Sequence, residues 1–129
     1  MFLGEYNANF SGQGRIILPK KFRQEVKGKQ IILSRGFEQC IFGFAAPDWE
    51  KEAARELETP ITDREARDLR RYLFTAAEEV ELDDQGRIVI PKPLLEYAGL
   101  KGGVIIIGAG DHLEIWDSVI WKKYAKKFT

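Results

Sequence analysis

Residues 9–20 read NFSGQGRIILPK, and residues 81–92 read ELDDQGRIVIPK. In both stretches Gln-Gly-Arg-Ile is followed, after two further apolar residues, by Pro-Lys, and the copies stand 72 positions apart. A motif written twice marks a supersecondary unit used twice. The likeness continues at an offset of 74, where KGKQIIL (27–33) matches KGGVIII (101–107), Gly36 matches Gly110, and Ile41-Phe42 matches Ile115-Trp116. It returns to 72 at Trp49 and Trp121, Lys51 and Lys123, and Ala53 and Ala125. Two compensating slips of two residues are what loop-length changes would produce. The chain therefore reads as two units, 1–58 and 79–129, joined by residues 59–78.

Each unit parses in the same order. Residues 5–10 and 79–83 alternate polar and apolar side chains at the period of a half-buried strand. SGQG and DDQG are turn chemistry, in which Gly14 and Gly86 can take the positive φ of a tight reversal. RIIL and RIVI resume as buried strands. Pro19 and Pro91 suit the first turn of a helix, which predicts short helices over 19–26 and 91–98, ended by Gly28 and Gly99. Strands follow at 30–34 with 39–44, and at 103–107 with 112–116. A closing helix carries Trp49, Ala53 and Leu57 in the first unit, and Trp121, Tyr124 and Phe128 in the second.

In the connector, Thr62 and Glu65 form a capping-box pattern. Ala66, Leu69, Leu73 and Ala76 then lie on one stripe, which predicts a packed helix. Arg64, Arg67, Arg70 and Arg71 occupy its other faces, and nearby acids predict ordinary ion pairing for them. Four short strands and a small helix cannot bury both faces of a sheet within about 50 residues. Two such units can, by packing face to face or by exchanging hairpins to close one barrel. The fold expected is α+β and β-rich. The small units and the aromatic hairpins with Phe37, Phe42, Phe44 and Trp116, read as exposed, predict a higher-order oligomer.

Bulk composition excludes several classes. With 44% hydrophobic and 31% charged residues, the 129-residue chain is a soluble globular one. It has no apolar run near the roughly 20 residues of a membrane helix, and no basic, apolar leader at its start. The single cysteine, Cys40, cannot form an internal disulfide and reads as a small buried residue, which suits a cytoplasmic protein. The single histidine, His112, has no second imidazole or thiol nearby, so neither a metal site nor a triad is expected. The glycines lack the lysine and helix spacing of a nucleotide loop. No enzyme, cofactor or metal is expected.

The formal net charge is zero, yet its distribution is uneven: +5 over residues 1–35, −8 over 36–86 and +3 over 87–129. Basic charge travels with the repeated motifs, and such a dipolar surface can hold a polyanion on one face. In the second motif Asp83 can brace its turn and pair with Arg87, or the arginine fork can reach outward to phosphate or a base edge. Composition leaves both open. In the first motif Ser11 stands where Asp83 stands and cannot neutralise Arg15. Arg15 is then expected to project beside Lys20, Lys21 and Arg23 as the main face for a polyanion.

These residues resemble the MraZ family, a bacterial relative of the AbrB and SpoVT group of DNA-binding transcription regulators. MFLGEY, GRIILPKKFR, ELDDQGRIVIPKPLLEYAGL, the IWD at 115–117 and the Trp closing each unit stand in the family's order, across essentially the whole chain. The resemblance implies two swapped-hairpin AbrB-like halves forming a double-split β-barrel with peripheral helices. It also implies a ring-shaped homo-oligomer that binds short direct repeats in double-stranded DNA upstream of the division and cell-wall genes, on the nucleoid. The family's Asp-x-x-x-Arg signature maps onto Asp83 and Arg87, with Gly86 in the turn. In the first copy it maps onto Arg15 and Gly14 alone, because position 11 is Ser and position 13, often Lys in the family, is Gln. An antitoxin-like AbrB-fold module is the alternative, and it would carry a C-terminal segment that folds on a toxin.

Overall fold

Strand exchange between the two copies sets the architecture. The computed structural model describes residues 1–129. Its strands are β1 (Glu5–Ala8), β2 (Arg15–Ile17), β3 (Gln30–Arg35), β4 (Ile41–Ala45), β5 (Glu78–Glu81), β6 (Arg87–Val89), β7 (Val104–Gly108) and β8 (Leu113–Asp117). Its helices are α1 (Lys20–Glu25), α2 (Ala46–Glu56), α3 (Arg64–Phe74), α4 (Lys92–Ala98) and α5 (Ser118–Ala125). Six strands form an antiparallel sheet in the order β1-β7-β8-β4-β3-β5, and β2 pairs with β6 in a separate ribbon. The first strand of each copy thus lies on the third strand of the other, and the two motif strands lie on each other. The strands do not close into one hydrogen-bonded barrel.

The register reveals a pseudo-twofold axis. Ile16 pairs with Ile88 and Phe42 pairs with Glu114, each a residue facing its own counterpart 72 positions on. It also corrects the alignment read from sequence. Ile31 pairs with Ala45 and Val80 as Val104 pairs with Asp117 and Ala8, so β3 and β7 are related by 73, and β4 and β8 by 72. The slip has a visible origin. Helix α4 is one residue longer than α1, and the loop before β8 is one residue shorter than the loop before β4. The two-residue slip was an accident of similar apolar runs.

The two sheet faces bury different cores. On one side Ile31, Leu33, Ile41, Ile106, Leu113 and Ile115 meet the ribbon through Ile16 and Ile88, and the short helices through Phe22 and Leu94. On the other, Phe42, Phe44, Ile105 and Trp116 are covered by Trp49 of α2 and by Trp121 and Tyr124 of α5. The hairpin aromatics are therefore not an exposed surface. Phe42, Phe44 and Trp116 are buried, and only Phe37 remains open. Cys40 is fully buried in this second core, and desolvation drives its thiol far up, into the neutral form.

The N-terminal segment closes over β7. Phe2 exchanges backbone bonds with Gly110 at 2.8 and 3.0 Å, and a Cβ at Gly108 would stand 2.3 Å from the Phe2 carbonyl carbon. The connector helix is fastened to β3, where buried Ser34 donates its hydroxyl to Leu73 O at 2.7 Å and Arg35 donates to Tyr72 O at 2.9 Å. Its cap is Asp63, not Thr62: the Asp63 carboxylate accepts from Ala66 N–H at 3.0 Å. Its arginines mostly do not ion-pair. Arg71 reaches Asp68 at 3.0 Å, whereas Arg67 donates to Ile61 O and Thr62 O and Arg70 to Thr59 O, tying down the loop before the helix.

Candidate nucleic-acid interface

The ribbon is the exposed counterpart of the core it covers. Alternation along three-residue strands sends Ile16 and Ile88 inward. Arg15, Ile17, Arg87 and Val89 are left on the outward face. The register sets Arg15 opposite Val89 and Ile17 opposite Arg87, so the arginines occupy diagonal corners of a pseudo-twofold patch. Ile17 and Val89 are about half exposed, at 49% and 50%. Nothing in the protein covers them.

The two turns close alike at their ends. Asp83 N–H donates to Arg87 O at 2.9 Å, as Ser11 N–H donates to Arg15 O at 2.8 Å. Each turn then accepts from the other copy: Leu18 N–H bonds Gly86 O at 3.0 Å, and Ile90 N–H bonds Gly14 O at 2.8 Å. Gly14 and Gly86 both take positive φ, 71° and 78°. A Cβ at Gly14 would press on Ile90 O (3.0 Å) and Leu95 Cδ1 (3.1 Å), and one at Gly86 would displace the Arg23 side chain, 2.2 Å away. Leu95 and Arg23 are counterparts 72 residues apart, so each short helix sits on the turn of the opposite copy.

Charge is settled differently at the two ends. In the second turn, Asp83 Oδ1 accepts from the N–H groups of Gln85 and Arg87, both at 2.9 Å, and Oδ2 accepts from Arg87 Nε at 2.7 Å. The backbone N–H of Arg87, with its side chain and the Gln85 N–H, holds the Asp83 carboxyl below its usual range. Lys29 pairs with Asp84 at 3.1 Å. Arg87 is thus engaged by the turn that presents it. In the first turn Arg15 is exposed and makes no ion pair or side-chain hydrogen bond.

Asp83 predicts a pH dependence with a definite sign. A depressed native carboxyl stabilises the fold fully above the ordinary Asp range, near pH ~4, and the contribution is lost as pH falls through the lower native value. Asp83→Asn should therefore be less stable than the parent at neutral pH, with the gap narrowing below pH ~4. Urea unfolding across a pH series measures this. A gap independent of pH would mean that the carboxylate charge contributes nothing.

The basic cluster that is continuous in sequence is divided by the exchange. Lys20, Lys21 and Arg23 follow β2, whose far end is bonded to Gly86, so α1 stands with the second turn. Arg23 lies across Gly86 and reaches toward Gln85 O at 3.4 Å. It does not stand beside Arg15 as expected. Lys20 and Lys21 are exposed. At the Arg15 end the bond from Ile90 to Gly14 brings in Lys92, the counterpart of Lys20. Lys101 borders the same groove as Gly12, Gln13 and Gly14. Lys101 was invisible to motif reading, since only strand exchange joins it to a turn 86 residues earlier.

Elsewhere, His112 is held between two carboxylates, with Nδ1 bonded to Asp111 Oδ1 (2.8 Å) and Nε2 to Glu114 Oε2 (2.9 Å), and it stacks on Phe44. Its partners are structural, since Glu114 also accepts from Trp116 Nε1 at 2.9 Å. No group of three or more His, Cys, Asp or Glu side chains is placed to hold a metal. No helix is long and apolar enough to cross a membrane.

An internally duplicated α+β chain that presents a two-stranded arginine ribbon has close relatives. Residues 1–72 and 73–129 each match the family described as "MraZ protein, putative antitoxin-like". Similar proteins include three named "Transcriptional regulator MraZ". That of Acetivibrio thermocellus is 42% identical over 125 residues, covering 97% of this chain and 87% of its own. Those of Alkaliphilus oremlandii and Halothermothrix orenii are each 43% identical over 124 residues, covering 96% of this chain and 86% of theirs. The chain belongs to the MraZ family.

Proposed function

We propose that this protein is a transcriptional regulator, not an enzyme, and that it binds double-stranded DNA sequence-specifically through the outward face of the β2–β6 ribbon. The observation that carries the reading is the diagonal pair of exposed Arg15 and half-buried Arg87, on the outward face beside uncovered Ile17 and Val89. The major groove admits a two-stranded ribbon, an arginine fork can take the O6 and N7 of guanine, and apolar side chains can meet thymine methyls. Lys20, Lys21 and Arg23 at one end, with Lys92 and Lys101 at the other, flank that face toward the phosphates. The relatives' name, transcriptional regulator, supports the class.

The exchange of β1 and β5 and the pairing of β2 with β6 support reading the strands as a swapped-hairpin double-split barrel. Its halves are 1–58 and 79–129, and 59–78 is the connector. A ring is the assembly that suits short direct repeats, because neighbours related by rotation present the same face in the same direction. One feature of the surface favours head-to-tail contact. Helix α2 carries Asp48, Glu50, Glu52 and Glu56 against Lys51 and Arg55, a net negative charge, while its counterpart α5 and the turn after it carry Lys122, Lys123, Lys126 and Lys127 with no acid. Opposite charge on pseudo-equivalent helices fits a heterologous interface, which closes into a ring when the rotation allows. The protein would act in the cytoplasm, on the nucleoid. The antitoxin-like alternative expects a C-terminal segment that folds on its partner. Here that segment is already helical and packed through Trp121 and Tyr124.

Selection from a pool of random duplexes, followed by sequencing, tests the proposal. Enrichment of short, evenly spaced direct repeats is expected. Recovery of an unenriched pool would contradict sequence-specific binding.

A further inference from the structure

The second turn displays what the first is built to bind. There, one carboxylate collects three donors: the N–H groups of Gln85 and Arg87 on Oδ1, and Arg87 Nε on Oδ2. The first turn keeps the counterparts of all three, in Gln13 N–H, Arg15 N–H and the Arg15 guanidinium. It keeps the same closing bonds at both ends, Ser11 N–H to Arg15 O and Ile90 N–H to Gly14 O. It lacks the acceptor. Ser11 is exposed, and its hydroxyl takes part in no hydrogen bond that would replace the Asp83 carboxylate.

The backbone also opens further toward a ligand. In the second turn Gly86 N–H is occupied by Asp83 O at 3.0 Å, a bond without a counterpart at Gly14. Both Gly12 and Gly14 take positive φ, 80° and 71°, a backbone form in which successive N–H groups can line an anion-binding concavity. Lys101 stands on the rim of the groove along residues 12–14. No carboxylate is bound to Arg15 or to Lys101.

We propose that the first turn, residues 11–15, is an oxyanion site in which a phosphate oxygen of the DNA backbone takes the place that the Asp83 carboxylate fills in the second turn. The two copies of one motif then have separate tasks. The second turn carries its own anion and is closed. The first borrows its anion from the ligand, so its arginine is organised only when DNA is bound. This deepens the DNA-binding reading and rests on it for the source of the phosphate, since inorganic phosphate offers the same oxygens. Replacing one residue interconverts the turns: Ser11→Asp supplies an internal acceptor and should fill the site.

The amide spectrum of the 15N-labelled full chain tests the site without DNA. On titration with inorganic phosphate, the Gln13 and Arg15 amides should shift more than in a chloride titration of equal ionic strength. In Ser11→Asp they should start displaced and no longer respond to phosphate, while Ser11→Ala should behave as the parent does. Equal responses to phosphate and chloride in the parent would overturn the site. With duplex DNA, Ser11→Asp should bind about tenfold or more weakly, the loss expected for charge-assisted bonds, with a salt slope smaller by about one contact. If phosphate shifts these amides but Ser11→Asp leaves DNA affinity and salt slope unchanged, the DNA backbone is not the source of the anion. If the parent binds no duplex at all, the regulator reading fails, and the phosphate titration still decides the site.

Discussion

Phe22→Ala is expected to cost about 3–5 kcal/mol of stability, the range for truncating a buried Phe. This corresponds to a fall of roughly 10–20 °C in Tm for a chain of this size. Phe22 is fully buried and meets Phe2 and Tyr6 edge-on, at centroid distances of 5.3 and 5.2 Å. It belongs to α1 of the first copy, yet the core it enters includes Ile88, Leu94, Val104 and Ile115 of the second. The whole chain should therefore melt in one cooperative transition, in the variant as in the parent. Calorimetry measures both quantities. Two separated transitions would mean that the copies fold as independent units, against the strand exchange.

Arg15→Ala is expected to cost roughly 1–3 kcal/mol of DNA affinity if Arg15 reads a guanine edge, with relaxed preference at one position of the repeat. If it holds phosphate alone, the loss should be uniform across sequences. Arg87→Ala should behave differently, because Arg87 is already bonded to Asp83 at 2.7 Å. Its loss should appear first as reduced stability and only secondarily in DNA binding. Competition titrations with operator and random duplexes, run beside thermal melts, separate the two arginines. An Arg15→Ala variant that binds both duplexes as the parent does would remove Arg15 from the interface.

The two copies, their strand and helix order and the connector helix were legible in sequence because turn glycines, Pro-first helices and period-two strands are local signals. The Asp83–Arg87 bond was legible as one of two options, since four residues across a tight turn place both side chains in reach. Pairing partners were not. Nothing in residues 15–23 says that α1 will rest on Gly86 while Arg15 pairs with Val89, because strand exchange is decided by the shared core and not by either copy alone. The aromatic hairpins misled for a related reason. Phe42, Phe44 and Trp116 looked uncovered until α2 and α5 were seen to fold back over that face of the sheet. The alignment slip at β3 and β7 could be set right only by backbone register, since runs such as QIIL and VIII match equally well at neighbouring offsets.

Whether the β2–β6 ribbon face holds a polyanion is decided by the salt dependence of duplex binding. Anisotropy titrations of a labelled duplex at several KCl concentrations should give a straight fall of log K against log salt concentration. The slope should be about −0.9 for each phosphate contacted, and Arg15→Ala should lower its magnitude by about one such step. An affinity that does not change with salt, or no binding at low salt, would mean that the ribbon face does not hold DNA.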